Sequence, residues 1–208
     1  MEEKKVEQEE GLTYKKILLE IWSWVYNIVF AVVLVLLIKN LLFSMTIVKK
    51  TSMYPTIQEN NALLVDRLSQ VRGVPLERGD IVVFEAPEGL AGDNIAYYSE
   101  NSTLDKFRKL FVKTLYVKRV IAVAGDQVTI EKGILYINGE AQNEAYVNPD
   151  NDRNGSNLSL VVPEGYIFCM GDNRGSSYDC RNFGCVPLDK VEGQAIFRFF
   201  PFNQIGSI

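Results

Sequence analysis

The sequence predicts a mainly β domain behind a single N-terminal membrane-spanning helix. Two observations carry that expectation. An uncharged apolar run of helical length lies near the start, and beyond it the chain breaks into short stretches rich in β-branched and aromatic residues, bounded by turn formers. A third observation limits the chemistry: the 208 residues include no histidine. Imidazole is the usual base and metal ligand near neutrality, so Ser-His-Asp and Cys-His devices and His-ligated zinc are excluded.

The apolar run comes first. Residues 21–38, IWSWVYNIVFAVVLVLLI, carry no charge, and only Ser23 and Asn27 are plainly polar. As a helix this run rises about 27 Å, against a hydrocarbon thickness of about 30 Å. Trp22, Trp24 and Tyr26 crowd one end as an aromatic belt does, and Lys39 can snorkel from the other. A buried soluble helix this long would ordinarily keep a polar stripe, and a cleavable leader would have a shorter run followed by a small-x-small site. Lys4, Lys5, Lys15 and Lys16 precede the run, whereas Lys39, Lys49 and Lys50 follow it, a narrow balance that puts the N-terminus in the cytoplasm. The organisation expected is a cytoplasmic tail (1–20), a transmembrane helix (21–38) and an extracytoplasmic β domain (39–208). Removing the six acids and four bases of the first twenty residues leaves 20 acids and 18 bases, no footprint for nucleic acid.

The strand-like runs follow in order: ALLVDRL (62–68), DIVVFEA (80–86), LYVKRVIAVA (115–124), QVTIEKGILYING (127–139), LSLVV (158–162), YIFCM (166–170) and QAIFRFF (194–200). Lys132-Gly133 should tip a hairpin within a small insertion at about 127–165. Gly-Asp pairs at 79–80, 92–93, 125–126 and 171–172 mark turns, and the polar stretch 143–157 reads as an exposed loop. One segment breaks the β pattern. Ser102 to Asp105 has capping-box spacing, and Leu104, Phe107, Leu110, Phe111 and Leu115 then recur near helical spacing among basic residues. That helix either covers one end of the sheet or lies on anionic lipid.

Three places carry candidate chemistry. Ser52 lies at the end of an apolar run, before Pro55, and by itself a serine there is more often a turn residue than a nucleophile. In LYVKRVIAVA, strand alternation sends Lys118 and Arg119 to opposite faces. By themselves the two side chains are expected to snorkel to solvent; where the strand is not an exposed edge and they do not, at least one cation enters apolar surroundings. A buried arginine then needs a carboxylate, whereas a buried lysine can shed its proton. The third place is GDNRGSSYDCRNFG (171–184), a compact polar loop in which Asp179 can pair with Arg174 or Arg181 and brace Ser176, Ser177 and Tyr178.

Taken in order, Ser52-Met53-Tyr54-Pro55-Thr56, Gly79 to Phe84, Tyr116-Val117-Lys118-Arg119-Val120 with Gly125-Asp126, and Gly171-Asp172-Asn173-Arg174 leading to Ser177, Asp179, Arg181 and Gly184 resemble the bacterial type I signal peptidases. The resemblance covers the chain from the apolar run to about Gly184. It implies a mostly antiparallel β catalytic domain outside the cytoplasmic membrane and endoproteolytic removal of signal peptides from secretory preproteins. Carried over by position, Ser52 is the nucleophile, Lys118 the general base, Ser177 the residue that orients the lysine, and Asp179–Arg181 the salt bridge that fixes the loop. Val48, Met53, Ile57 and Val117 are candidates for lining a substrate pocket that prefers small residues at −1 and −3. The implied partners are preproteins and the lipid bilayer, with no metal and no cofactor. Ser52 follows Ile38 by 14 residues, a reach of at most about 50 Å, so cleavage beside a bilayer is accessible.

Two departures from the family pattern stand out. Lys50 occupies a position that is often glycine or a small hydroxyl residue, which leaves the second oxyanion donor open. Cys180 replaces the usual serine beside Asp179, and a bridge to Cys185 is geometrically conceivable. The competing reading is an inactive, membrane-anchored scaffold of the same fold. A self-cleaving Ser/Lys repressor would instead need a DNA-binding head.

Overall fold

The computed structural model describes residues 15–16, 19–35, 42–85, 115–148 and 157–208, which fall into two units, Met1–Leu42 and Phe43–Ile208. In the first, residues 19–35 are helical. The large apolar side chains on this helix are exposed, Trp22 at 71% and Trp24 at 68%. Tyr26 and Phe30, four residues apart on one face, stack with ring centroids 6.4 Å apart. Among the described residues no helix is long and apolar enough to cross a membrane. The expected span continues through residues 36–38, which lie outside the described residues. So do the turn expected at Gly92-Asp93 and the amphipathic segment expected at 102–115, apart from Leu115.

The second unit is built from strands, and every pairing among the described residues is antiparallel. In chain order they are β1 (Phe43–Ile47), β2 (Ala62–Asp66), β3 (Ile81–Glu85), β4 (Leu115–Val123), β5 (Gln127–Glu131), β6 (Ile134–Ile137), β7 (Glu140–Ala141), β8 (Leu158–Val161), β9 (Tyr166–Met170), β10 (Val186–Pro187), β11 (Val191–Phe200) and β12 (Gly206–Ser207). The large sheet runs β1-β2-β11-β3-β4-β9-β10, with β12 added to β11. A smaller sheet, β7-β6-β5-β8, forms the hairpin-containing insertion.

Alternation places the core. Val82, Phe84, Tyr116 and Val120 belong to one buried cluster, which the small sheet joins through Val128, Ile130, Leu135 and Ile137. Ile81 and Val83 belong to a second cluster with Val48, Met53, Ile57, Leu63, Val65 and Ala195. The hairpin tip is where the sequence puts it. Lys132 and Gly133 both have positive φ, 51° and 79°, as a two-residue type I′ turn requires.

Two features differ from the sequence reading. The stretch from residue 143 is not exposed at its start, because Glu144 and Val147 are buried at 7% and 4%. β1, β7, β10 and β12 are additions to the strands expected, although Phe43-Ser44-Met45-Thr46-Ile47 does alternate apolar and polar residues. Three of these are only two residues long, and β1 turns its apolar residues outward, with Met45 at 62% and Ile47 at 56% exposure.

Candidate active site

Ser52 sits in the turn that joins β1 to β2. Proline at 55 cannot extend a central strand, so the chain folds back: the Tyr54 N–H donates to Thr51 O (3.0 Å) and the Ile57 N–H to Met53 O (2.9 Å). Met53 and Ile57 are buried at 1% and 0% and pin this turn to the second core cluster, with Val48 beside them.

Lys118 reaches the same point from β4. The strand buries Tyr116, Lys118 and Val120 on alternate positions, and Lys118 retains only 4% exposure. Its Nζ lies 2.7 Å from Ser52 Oγ, across 66 positions of sequence. Val82 is its register partner on β3, and Tyr116 places its ring centroid 5.4 Å from Nζ. Burial pushes the lysine down from 10.5 to about 8; the Asp179 charge opposes that shift and the Lys50 charge adds to it.

Arg119, one residue on, is solved differently. Its Nε and Nη2 donate to the two carboxylate oxygens of fully buried Asp172 at 2.9 and 2.7 Å, and Nη1 donates to Gly79 O at 2.8 Å. The arginine keeps its charge beside a carboxylate, while the lysine lies within hydrogen-bonding distance of a hydroxyl.

Loop 171–184 clasps the Ser52 turn. The Asn173 N–H donates to Ser52 O and its Nδ2 to Thr51 O, both at 3.0 Å, and Thr56 Oγ1 donates to the Asp172 carboxylate. A Cβ on Gly171 would fall 2.4 Å from Ser52 O and 2.3 Å from Ser177 Oγ, so glycine is required there for close approach rather than for a turn. Asp179, wholly buried, accepts from Arg181 Nε (2.8 Å) and Nη2 (2.9 Å) and from the Gly171 N–H (3.0 Å). It also caps the one-turn helix Cys180–Phe183, reciprocally with Asn182. Burial pushes its carboxyl up, but the hydrogen bonds and charge of Arg181 win and hold it below the ordinary value. Of the two arginines open to Asp179, the partner is Arg181; Arg174 turns instead to Glu144. Ser177 Oγ is enclosed, and its hydroxyl adds to Arg181 and the Gly171 N–H in holding the Asp179 carboxyl down.

The thiols stand apart from this chemistry. Cys169, Cys180 and Cys185 are unbridged, and Cys180 Sγ accepts from the Cys169 N–H. Burial raises Cys169 well above the ordinary thiol range and Cys185 to about 11, which suppresses thiolate near neutrality.

Ser52, Lys118, Asp179 and Arg181 thus converge as their spacing alone does not require. Of the pocket candidates, Val117 is half-buried beside Lys118, whereas Val48, Met53 and Ile57 are core residues behind the turn. The clamping roles of Asn173 and Thr56 and the burial of Glu144 have no signal in residue type or period. The sequence profile described as signal peptidase, peptidase S26, matches residues 21–200. The chain belongs to this family. It is 36% identical to a signal peptidase I of Bacillus licheniformis over 95% of this chain and 97% of that one. A signal peptidase I of Bacillus caldolyticus is 35% identical over 88% and 91%, and signal peptidase I T of Bacillus subtilis 35% over 88% and 87%. Membership in the signal peptidase family makes the protein an enzyme, a serine endopeptidase that cleaves signal peptides.

Proposed function

We propose that the protein is a membrane-anchored signal peptidase working by a Ser52–Lys118 dyad. The observation that carries this reading is the 2.7 Å approach of an enclosed lysine Nζ to the serine Oγ. A charged ammonium can only donate. In the neutral form, which burial favours, the Nζ lone pair takes the Ser52 hydroxyl proton as Oγ attacks the scissile carbonyl. The resulting lysinium then protonates the leaving amine as the acyl-enzyme forms. A water, deprotonated by the same lysine, releases the acyl group. The Ser52 N–H serves as one oxyanion donor. Ser177 supports the geometry from the same loop: its enclosed hydroxyl lies against Gly171 and helps hold the Asp179 carboxyl in its charged form beside Lys118.

The substrates are secretory preproteins, bound as extended strands with small residues at −1 and −3. Val117 lines the pocket, and Val48, Met53 and Ile57 shape it from behind. The exposed apolar helix of residues 19–35, continued by the uncharged residues 36–38, anchors the chain in the cytoplasmic membrane with its N-terminus inside and the β domain outside. The test is cleavage of an exported preprotein by the detergent-solubilised full chain. Ser52→Ala and Lys118→Ala should each lower kcat by at least about 10³-fold. Cleavage by either variant at the wild-type rate would overturn the dyad.

A further inference from the structure

The segment Glu144–Asn148 leaves the small sheet and makes three separate attachments near the site, two to loop 171–184 and one to Arg119 on β4. Glu144 is one. Its side chain is 3% exposed and grips Arg174, itself 6% exposed, through both carboxylate oxygens. Arg174 Nε in turn donates to Gly171 O at 3.0 Å, and the Arg174 carbonyl accepts from Arg181. Tyr146 is the second: its hydroxyl donates to Glu144 at 3.0 Å while its ring lies 4.3 Å from the Arg119 guanidinium, the group that holds Asp172. The third is a main-chain bond from the Asn148 N–H to Asp172 O, 3.2 Å.

We propose that Glu144 and Tyr146 are positioning residues for the reaction: they fix the Ser52 turn through Arg174–Gly171 and Arg119–Asp172. The proposal rests on the dyad reading above. The chain of contact is short. The Gly171 α-carbon abuts Ser52 O so closely that no Cβ fits, and Asn173 donates to the same oxygen. Whatever holds Gly171, Asp172 and Asn173 therefore holds the nucleophile's main chain. A buried guanidinium deprived of its carboxylate must move toward water or another acceptor. Arg174 would take the Gly171 carbonyl with it, and Ser52 Oγ would lose its alignment with Nζ. Misplacement on the order of 1 Å costs about 10²-fold in rate. The segment that leaves the small sheet and carries Glu144 is thus part of the proposed catalytic apparatus, although Glu144 touches neither substrate nor reacting atoms.

The experiment compares Ser52→Ala, Glu144→Gln, Glu144→Asp and Tyr146→Phe in the full chain in detergent, measuring kcat and KM on an exported preprotein alongside thermal unfolding. Glu144→Gln should lower kcat about 10- to 100-fold, with KM within about twofold of wild type. Glu144→Asp, which keeps the carboxylate, should recover part of that loss, and Tyr146→Phe should lower kcat by a smaller factor. Wild-type kcat in Glu144→Gln would overturn the proposal even if its unfolding temperature falls, because the pair would then be structural alone. If Glu144→Gln does not fold, Tyr146→Phe decides in the same way, since it deletes only one hydroxyl. Activity surviving in Ser52→Ala would instead remove the dyad on which the proposal rests.

Discussion

A lysine beside a serine is useful only while it lacks its proton. With burial holding Lys118 at about 8, roughly a tenth of the molecules carry the neutral base at pH 7. Two neighbouring charges tune that fraction in opposite senses: Asp179 favours the ammonium, whereas Lys50 disfavours it. Lys50 is exposed, so its influence passes through solvent and is screened by salt. Replacing it by alanine should raise the Lys118 value and move the acidic limb of kcat/KM to higher pH at low ionic strength, with the displacement shrinking as salt is added. A limb that stays put at low salt would remove Lys50 from the account. The sequence made half of this arrangement legible. Adjacent cations on a strand must face opposite ways, and Arg119 does find the carboxylate that a buried arginine needs. Alternation could not say that Lys118 would meet Ser52, because that contact spans 66 positions.

Loop 171–184 is the element on which these residues depend. Its glycine at 171 is held by space, with a would-be Cβ 2.4 Å from a main-chain oxygen that has little room to yield. Gly171→Ala should therefore cost about 1–3 kcal/mol of stability, as overpacking does, and abolish turnover by displacing Ser52. Asp179 anchors the other end of the loop. Removing it leaves Arg181 beside a vacated buried site and the Gly171 N–H without its acceptor, so Asp179→Ala should cost about 3–5 kcal/mol in urea unfolding. Because Asp179 is held below its ordinary value, its contribution is present above the unfolded carboxyl value and fades as pH falls through the folded one. The longer strands and the hairpin tip were readable from alternation and turn chemistry. β7, β10 and β12 were not, since two residues establish no period, and β1 presents its apolar residues to the outside.

Across the whole molecule, the proposed dyad sets catalysis against stability at one position, Lys118. Below pH 8 both folded and unfolded chains protonate Lys118, and the folded chain bears the cost of a buried charge. Between pH 8 and 10.5 the folded state sheds the proton while the unfolded state keeps it, so stability rises with pH. A drop from 10.5 to about 8 corresponds to about 3 kcal/mol. Lys118→Met, similar in volume and never charged, should be inactive yet more stable than wild type at pH 7 by up to about 3 kcal/mol, the gap closing toward pH 10.5. Equal stability at both pH values would show that the lysine carries no such strain. Contacts at this scale were the least legible in sequence: Glu144 lies 30 positions from Arg174 in a stretch whose composition reads as exposed loop, and only the small sheet brings the two together. The absence of histidine excludes an imidazole base, and under the proposed dyad the proton goes to Lys118 instead. The most direct measurement is a titration of the Lys118 side chain in the full-length protein by ¹³C NMR at Cε, set beside the pH profile of kcat/KM. The dyad predicts that both turn over together near pH 8. A Lys118 that stays charged through pH 10 while kcat/KM is already at its plateau at pH 7 would contradict it.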